Sequence, residues 1–137
     1  MERTVLAIDP GTEKCGMALV HRPASGSLEV KWRAIVARSE VVAQMHEAGH
    51  IMPFSMLIVG SGTGSKPLVT EIREAFPSLG VLLVDEKDTS LQARERYWEF
   101  NPRRGWRRLL PASLQVPPEP VDDYVAYILA ERVLSAV

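Results

Sequence analysis

The sequence predicts an α/β domain on a mixed five-stranded sheet, three antiparallel strands followed by two parallel ones, with helices flanking it. Three features point there. The first third carries three apolar runs joined by short turns, and short connections make antiparallel neighbours. The middle reads strand, helix, strand with both strand candidates apolar throughout, the pattern of a parallel pair covered by a helix. The closing segment is amphipathic at helical spacing. With 137 residues, 46% of them apolar, the chain can bury one core but is too short for two ordinary domains, so residues 1–137 are expected to form a single domain.

Val5–Ile8, Gly16–Val20 and Leu28–Val36 are the first three strand candidates, joined by the Asp9–Cys15 turn and by Pro23-Ala24-Ser25-Gly26. Ser39 is placed to N-cap a helix running to about His50, with Gly49 and Pro53 as stop signals. Met56–Val59 reads as a short buried strand. Gly60-Ser61-Gly62-Thr63-Gly64-Ser65 leads into a helix from about Lys66 to Phe76, and Val81–Val84 is the next buried strand. Asp88 or Thr89 can cap a helix through Tyr97. Residues 101–120 hold five prolines and a burst of arginine, which predicts an irregular excursion. Asp122–Leu134 closes the order as a helix with Val121, Val125, Ile128, Leu129 and Val133 inward. No internal repeat is visible.

Composition excludes several classes. One cysteine, Cys15, makes neither an intramolecular disulfide nor a structural zinc site, and reads as a buried or turn-edge filler. The N-terminus lacks the pattern of a signal peptide, and no run approaches the ~18 apolar residues that cross a membrane, so the expected location is the cytoplasm. A net charge of -1 gives no global attraction to nucleic acid, but the positive charge is locally concentrated.

The chemistry-bearing residues are acids placed where backbone can hold them. Asp9 ends Val5-Leu6-Ala7-Ile8, Glu86 ends Val81-Leu82-Leu83-Val84-Asp85, and Asp122 opens the last helix. A strand-end acid is rigidly held yet can face a cleft, and three that converge would bind Mg²⁺ or Mn²⁺ through oxygen, the equipment for cutting a phosphodiester. Taken singly, each acid could equally cap a turn or solvate a sheet edge.

In combination, VLAIDPGTEKCGMALV (residues 5–20), VDEKDTSLQARERYWE (residues 84–99) and PVDDYVAYILAERVL (residues 120–134) resemble the RuvX/YqgF family of the RNase H-like superfamily. That family comprises bacterial proteins described as Holliday-junction-resolvase-like and as pre-16S rRNA processing nucleases. The resemblance implies an RNase H-like fold and an endonuclease with Asp9, Glu86 and Asp122 as metal ligands, Asp123 or Asp85 being substitutes. The strand-end element Asp85-Glu86-Lys87-Asp88-Thr89-Ser90 aligns with the family's Asp-Glu-Arg-x-Thr-Thr, which brings Lys87 and Thr89 to the substrate.

The tract Asn101-Pro102-Arg103-Arg104-Gly105-Trp106-Arg107-Arg108, preceded by Arg94, Arg96 and Trp98, joins cations to aromatic faces that can stack on unpaired bases. Arg94, Arg103, Arg104, Trp106, Arg107 and Arg108 are therefore candidate substrate contacts; the competing reading is a solvated basic loop answering Glu95 and Glu99. The glycine-serine tract lacks the Gly-Lys-Ser/Thr ending of a P-loop, and Ser65 stands at the third glycine of a dinucleotide pattern. His46-Glu47-Ala48-Gly49-His50 satisfies the zinc-peptidase pattern, with Glu71 or Glu74 as nominal third ligand, but Gly49 and Pro53 would end the helix near its second histidine.

These observations lead to a metal-dependent nuclease on structured nucleic acid, a Holliday-junction-like DNA or precursor 16S rRNA. A symmetric junction cut twice would favour a homodimer. The alternative is a weakly catalytic or non-catalytic binding module of the same fold, in which Lys87, standing where the family usually has arginine, and Gly60–Ser65, standing where the family usually reads Gly-Leu-Pro before a polar Gly-Ser stretch, do not position a substrate. Zinc peptidase chemistry through His46 and His50 is the remote third reading.

Overall fold

The computed structural model describes residues 2–24, 26–62, 64–85, 89–100 and 122–135, with backbone only for 89–91, 94, 96, 100 and 135. Five strands, β1 (Arg3–Asp9), β2 (Lys14–Arg22), β3 (Glu29–Ala37), β4 (Met56–Gly60) and β5 (Gly80–Val84), form one sheet in the order β3-β2-β1-β4-β5. The β1–β2 and β2–β3 pairs are antiparallel, and β1–β4 and β4–β5 are parallel, so the expected mixed sheet is present. Among the described residues four helices flank it: α1 (Val41–Ile51), α2 (Ser65–Ala75), α3 (Thr89–Phe100) and α4 (Asp122–Ser135).

Central strands read as unbroken apolar runs because both faces are covered. On one face Leu6, Ile8, Met17, Leu19, Leu57 and Val59 pack with Val41 and Met45 of α1 and Leu68 and Ile72 of α2. On the other face Val5, Ala7, Ala18, Val20 and Ile58 meet Ala126, Ile128, Leu129 and Leu134 of α4. Alanines on both sides of that second layer let α4 approach the sheet closely. Burying each of Ile128, Leu129 and Leu134 stabilises the packing by about 1.5–3 kcal/mol. A third cluster, Ala93, Tyr97, Tyr124 and Val125, joins α3 to the outer side of α4.

Several boundaries differ from expectation for local reasons. Ser39 does not cap α1; Arg38–Glu40 form a 3-10 turn first, and no side chain caps the helix. The chain is held there by the Arg38 N–H donating to the Glu13 carbonyl at 2.8 Å and by the Arg38 guanidinium on Glu71 at 2.7 Å. Gly49 does not stop α1 but lies within it, where its missing side chain lets Phe54 come to 3.8 Å of an added Cβ. The stop is Met52, extended because Pro53 disfavours a helical predecessor.

Val81–Val84 is not a buried strand. It lies at the edge of the sheet, and Leu82 and Leu83 are 41% and 53% exposed. Finally, α4 is buried from Tyr124 to Ala130 rather than along one stripe, because α3 covers the side away from the sheet. Of its expected inward residues, Ile128 and Leu129 face the sheet, Val133 packs partly on that layer, Val125 faces α3, and Val121 lies outside the described residues. Cys15 is buried, as expected. The excursion at 101–120 lies outside the described residues.

Candidate active site

Asp9 is the last residue of β1 and pairs in register with Gly16 of β2. Gly16 is where α4 begins: a Cβ there would overlap the Asp122 carbonyl and stand 2.7 Å from the Asp123 nitrogen. Directly opposed antiparallel residues have Cα atoms about 4.5–5.5 Å apart, so one glycine brings the Asp9 backbone and the N-terminus of α4 into adjacency. Strand alternation puts Asp9 on the face of Val5 and Ala7, the face α4 covers. Both Asp9 and Asp122 act electrostatically on the Cys15 thiol, whose pKa is raised mainly by burial and further by these two carboxylates, while the Gly11 backbone and Arg38 oppose the rise.

The helix carrying Asp122 is clamped at both ends. Arg33 of β3 lies over the Tyr124 ring, 4.3 Å from its centroid, and 3.6 Å from Asp123 Oδ2. At the far end the Arg22 guanidinium donates to the Leu134 carbonyl at 2.9 Å, a cation at the negative end of the helix. Asp123 is 14% exposed; its Oδ1 accepts from the Tyr124 N–H at 3.0 Å, and burial raises its pKa against the opposing pull of Arg33. Asp123 therefore serves the helix start, with Asp122 beside it.

The exit of β5 is tied to the same helix. Arg132 donates to the Asp85 carbonyl at 2.8 Å and to Gln92 Oε1 at 3.1 Å, which links β5, α3 and α4. Ser61 N–H donates to the Val84 carbonyl at 2.9 Å, and Gly64, at φ 84°, stands 3.6 Å from Gly11 when given a Cβ. The glycine loop after β4 thus abuts the turn after Asp9.

Asp9, Asp85, Asp122 and Asp123 are described; Glu86, Lys87, Arg103, Arg104, Trp106, Arg107 and Arg108 lie outside the described residues. Thr89 and Arg94 are placed only as backbone positions of α3. Among the described residues no group of three or more His, Cys, Asp or Glu is arranged to hold a metal ion. That applies to His46 and His50 too: both are exposed, His46 stacks on Phe76 with centroids 4.7 Å apart, and Glu71 is engaged by Arg38. No described helix is long and apolar enough to cross a membrane.

Sequence reasoning missed Arg33, Tyr124 and Gly16 as parts of the site. Gly16 within an apolar strand was the available signal, since an interior strand glycine marks close approach of another backbone.

No family model matches the sequence, and no curated protein matches it. Solved structures do. Thermus thermophilus RuvC in complex with a Holliday junction substrate superposes with a TM-score of 0.57 at 15% identity, covering 93% of this chain and 90% of that one. Fowlpox virus resolvase in complex with Holliday junction DNA gives 0.64 at 9% identity, covering 97% of each chain. The likeness is one of fold, and it identifies the mixed sheet with its flanking helices as RNase H-like.

Proposed function

We propose that this RNase H-like domain is a divalent-metal-dependent endonuclease acting on branched DNA, with Asp9, Glu86 and Asp122 as its acid set. The observation that carries the reading is the seating of the start of α4 on Gly16, directly across from Asp9, in a fold shared with proteins whose structures were solved in complex with Holliday junctions. Carboxylate oxygens at a strand end suit a hard cation, Mg²⁺ or Mn²⁺, and Glu86 follows Asp85, which Arg132 ties to α4. Such an ion, when bound, would activate a water and stabilise the departing oxygen of an in-line displacement. Asp9, Glu86 and Asp122 would hold it; Lys87, Thr89, Arg94 and the arginines at 103, 104, 107 and 108, with Trp106, would orient the strand.

The assay is cleavage of a four-way junction, a linear duplex, a single strand and a precursor-rRNA leader with Mg²⁺ or Mn²⁺. Wild type is expected to cut the junction, in paired incisions if it acts as a homodimer, and Asp122→Asn and Glu86→Gln to bind without cutting. Cleavage confined to the rRNA leader would move the substrate to RNA. Junction binding without cleavage by wild type would make the chain a binding module, and activity in Asp122→Asn would remove this acid set.

A further inference from the structure

On the sheet face opposite α4, a cleft of about 340 Å³ runs between α2 and the edge strand β5, lined by Ser65, Lys66, Val69, Thr70, Arg73 and Leu83. Lys66, Thr70 and Arg73 lie at i, i+4 and i+7, so they form one ridge along the helix. Neither Lys66 nor Arg73 has an ion-pair partner among the described residues, whereas Lys31, Arg33 and Arg38 each have one. Of the acids on α2, Glu71 is held by Arg38 at 2.7 Å, and Glu74 is rotated about 100° from Arg73. The far wall is Leu83, 53% exposed at the sheet edge. Two uncompensated cations facing an exposed apolar wall suit a ligand with a charged rail and an uncharged side.

The cleft also starts in the right place. Gly64, immediately before α2, abuts Gly11 in the turn after Asp9, so α2 departs from the candidate active site and runs away from it. Lys66 to Arg73 spans about 10 Å at about 1.5 Å per residue. That is about three phosphates of one strand, at about 3.4 Å of axis each.

We propose that this cleft is a second nucleic-acid contact, gripping the phosphate backbone of one strand through Lys66 and Arg73, with its sugar and base edges against Leu83. The inference rests on the nucleic-acid reading above and places a substrate arm on the α2 face. Phosphate contacts here would fix register and orientation without reading sequence.

The test measures binding of a labelled four-way junction by the full chain in EDTA across a salt series. Lys66→Gln/Arg73→Gln should weaken binding by tenfold or more at about 0.1 M salt and reduce the log–log salt slope by about 2. Leu83→Glu, an exposed change, should weaken binding while leaving the melting temperature in place. Lys31→Gln, in a pair with Glu29 on the opposite edge strand, gives the effect of removing a distant charge. If wild type binds and the double variant keeps its affinity and slope, the cleft proposal fails and the nuclease reading stands. If wild type binds no nucleic acid at all, both fail together.

Discussion

Gly16→Ala tests the seat on which the candidate centre is built. An added Cβ would overlap the Asp122 carbonyl and lie 2.7 Å from the Asp123 nitrogen, where an ordinary carbon contact is about 3.5–4.0 Å. Both obstacles are backbone, so no side chain can swing aside and the first turn of α4 must move by about 1 Å or more. Overpacking of this kind costs about 1–3 kcal/mol. For 137 residues that lowers the melting temperature by roughly 3–15 °C. Gly80→Ala is the matched control, because nothing lies within 4 Å of its added Cβ, and its stability should stay within about 0.5 kcal/mol of wild type. Scanning calorimetry reads the stability, and amide exchange of residues 123–126 reports the start of α4. Junction cleavage should fall by about a hundredfold, the cost of a misplacement near 1 Å. A Gly16→Ala protein that melts and exchanges like wild type would show that α4 is not seated on β2 at this point.

Two further outcomes follow from the same geometry. Arg33→Met removes the guanidinium from Tyr124 and Asp123; with that side chain 36% exposed, the combined loss should be about 1 kcal/mol. Asp123→Asn should recover part of it in that background by removing a stranded carboxylate, and strictly additive effects in the double-mutant cycle would contradict the coupling. Burial raises the Cys15 pKa above its ordinary 9.0, so the native state disfavours the thiolate. Stability from this group is complete below the unfolded pKa and is lost as pH rises through 9.0 toward the folded value. Native Cys15 should alkylate far more slowly than the urea-unfolded chain at pH 8, and equal rates would refute its burial.

The sheet was legible because its central strands are apolar runs with short connections, and because βαβ units have few ways to close. The status of β5 was not, since an apolar run reads alike at the centre and at the edge, and only the strand order exposes Leu82 and Leu83. Asp9 and Asp122 could be nominated from their places at element ends. Their adjacency depends on Gly16, which in the sequence looks like a weak spot in a strand. The Arg33 clamp was invisible because it spans β3 and α4, 91 positions from Arg33 to Tyr124, with no local pattern to mark it. Ser39 was misread because cap propensity yields to a tertiary tie, here the bond from Arg38 to Glu13.

The placement of α4 also dictates when the molecule can become competent during its own synthesis. Residues 3–22 emerge early and can pair as a hairpin, yet the layer of Val5, Ala7, Ala18 and Val20 has no cover until residues 122–135 leave the ribosome. Until then a nascent chain exposes a greasy sheet surface suited to chaperone capture, and Asp9 has no Asp122 across from it. Under the nuclease proposal, the same packing that completes the core would thus keep an unfinished polypeptide from cutting any nucleic acid around it.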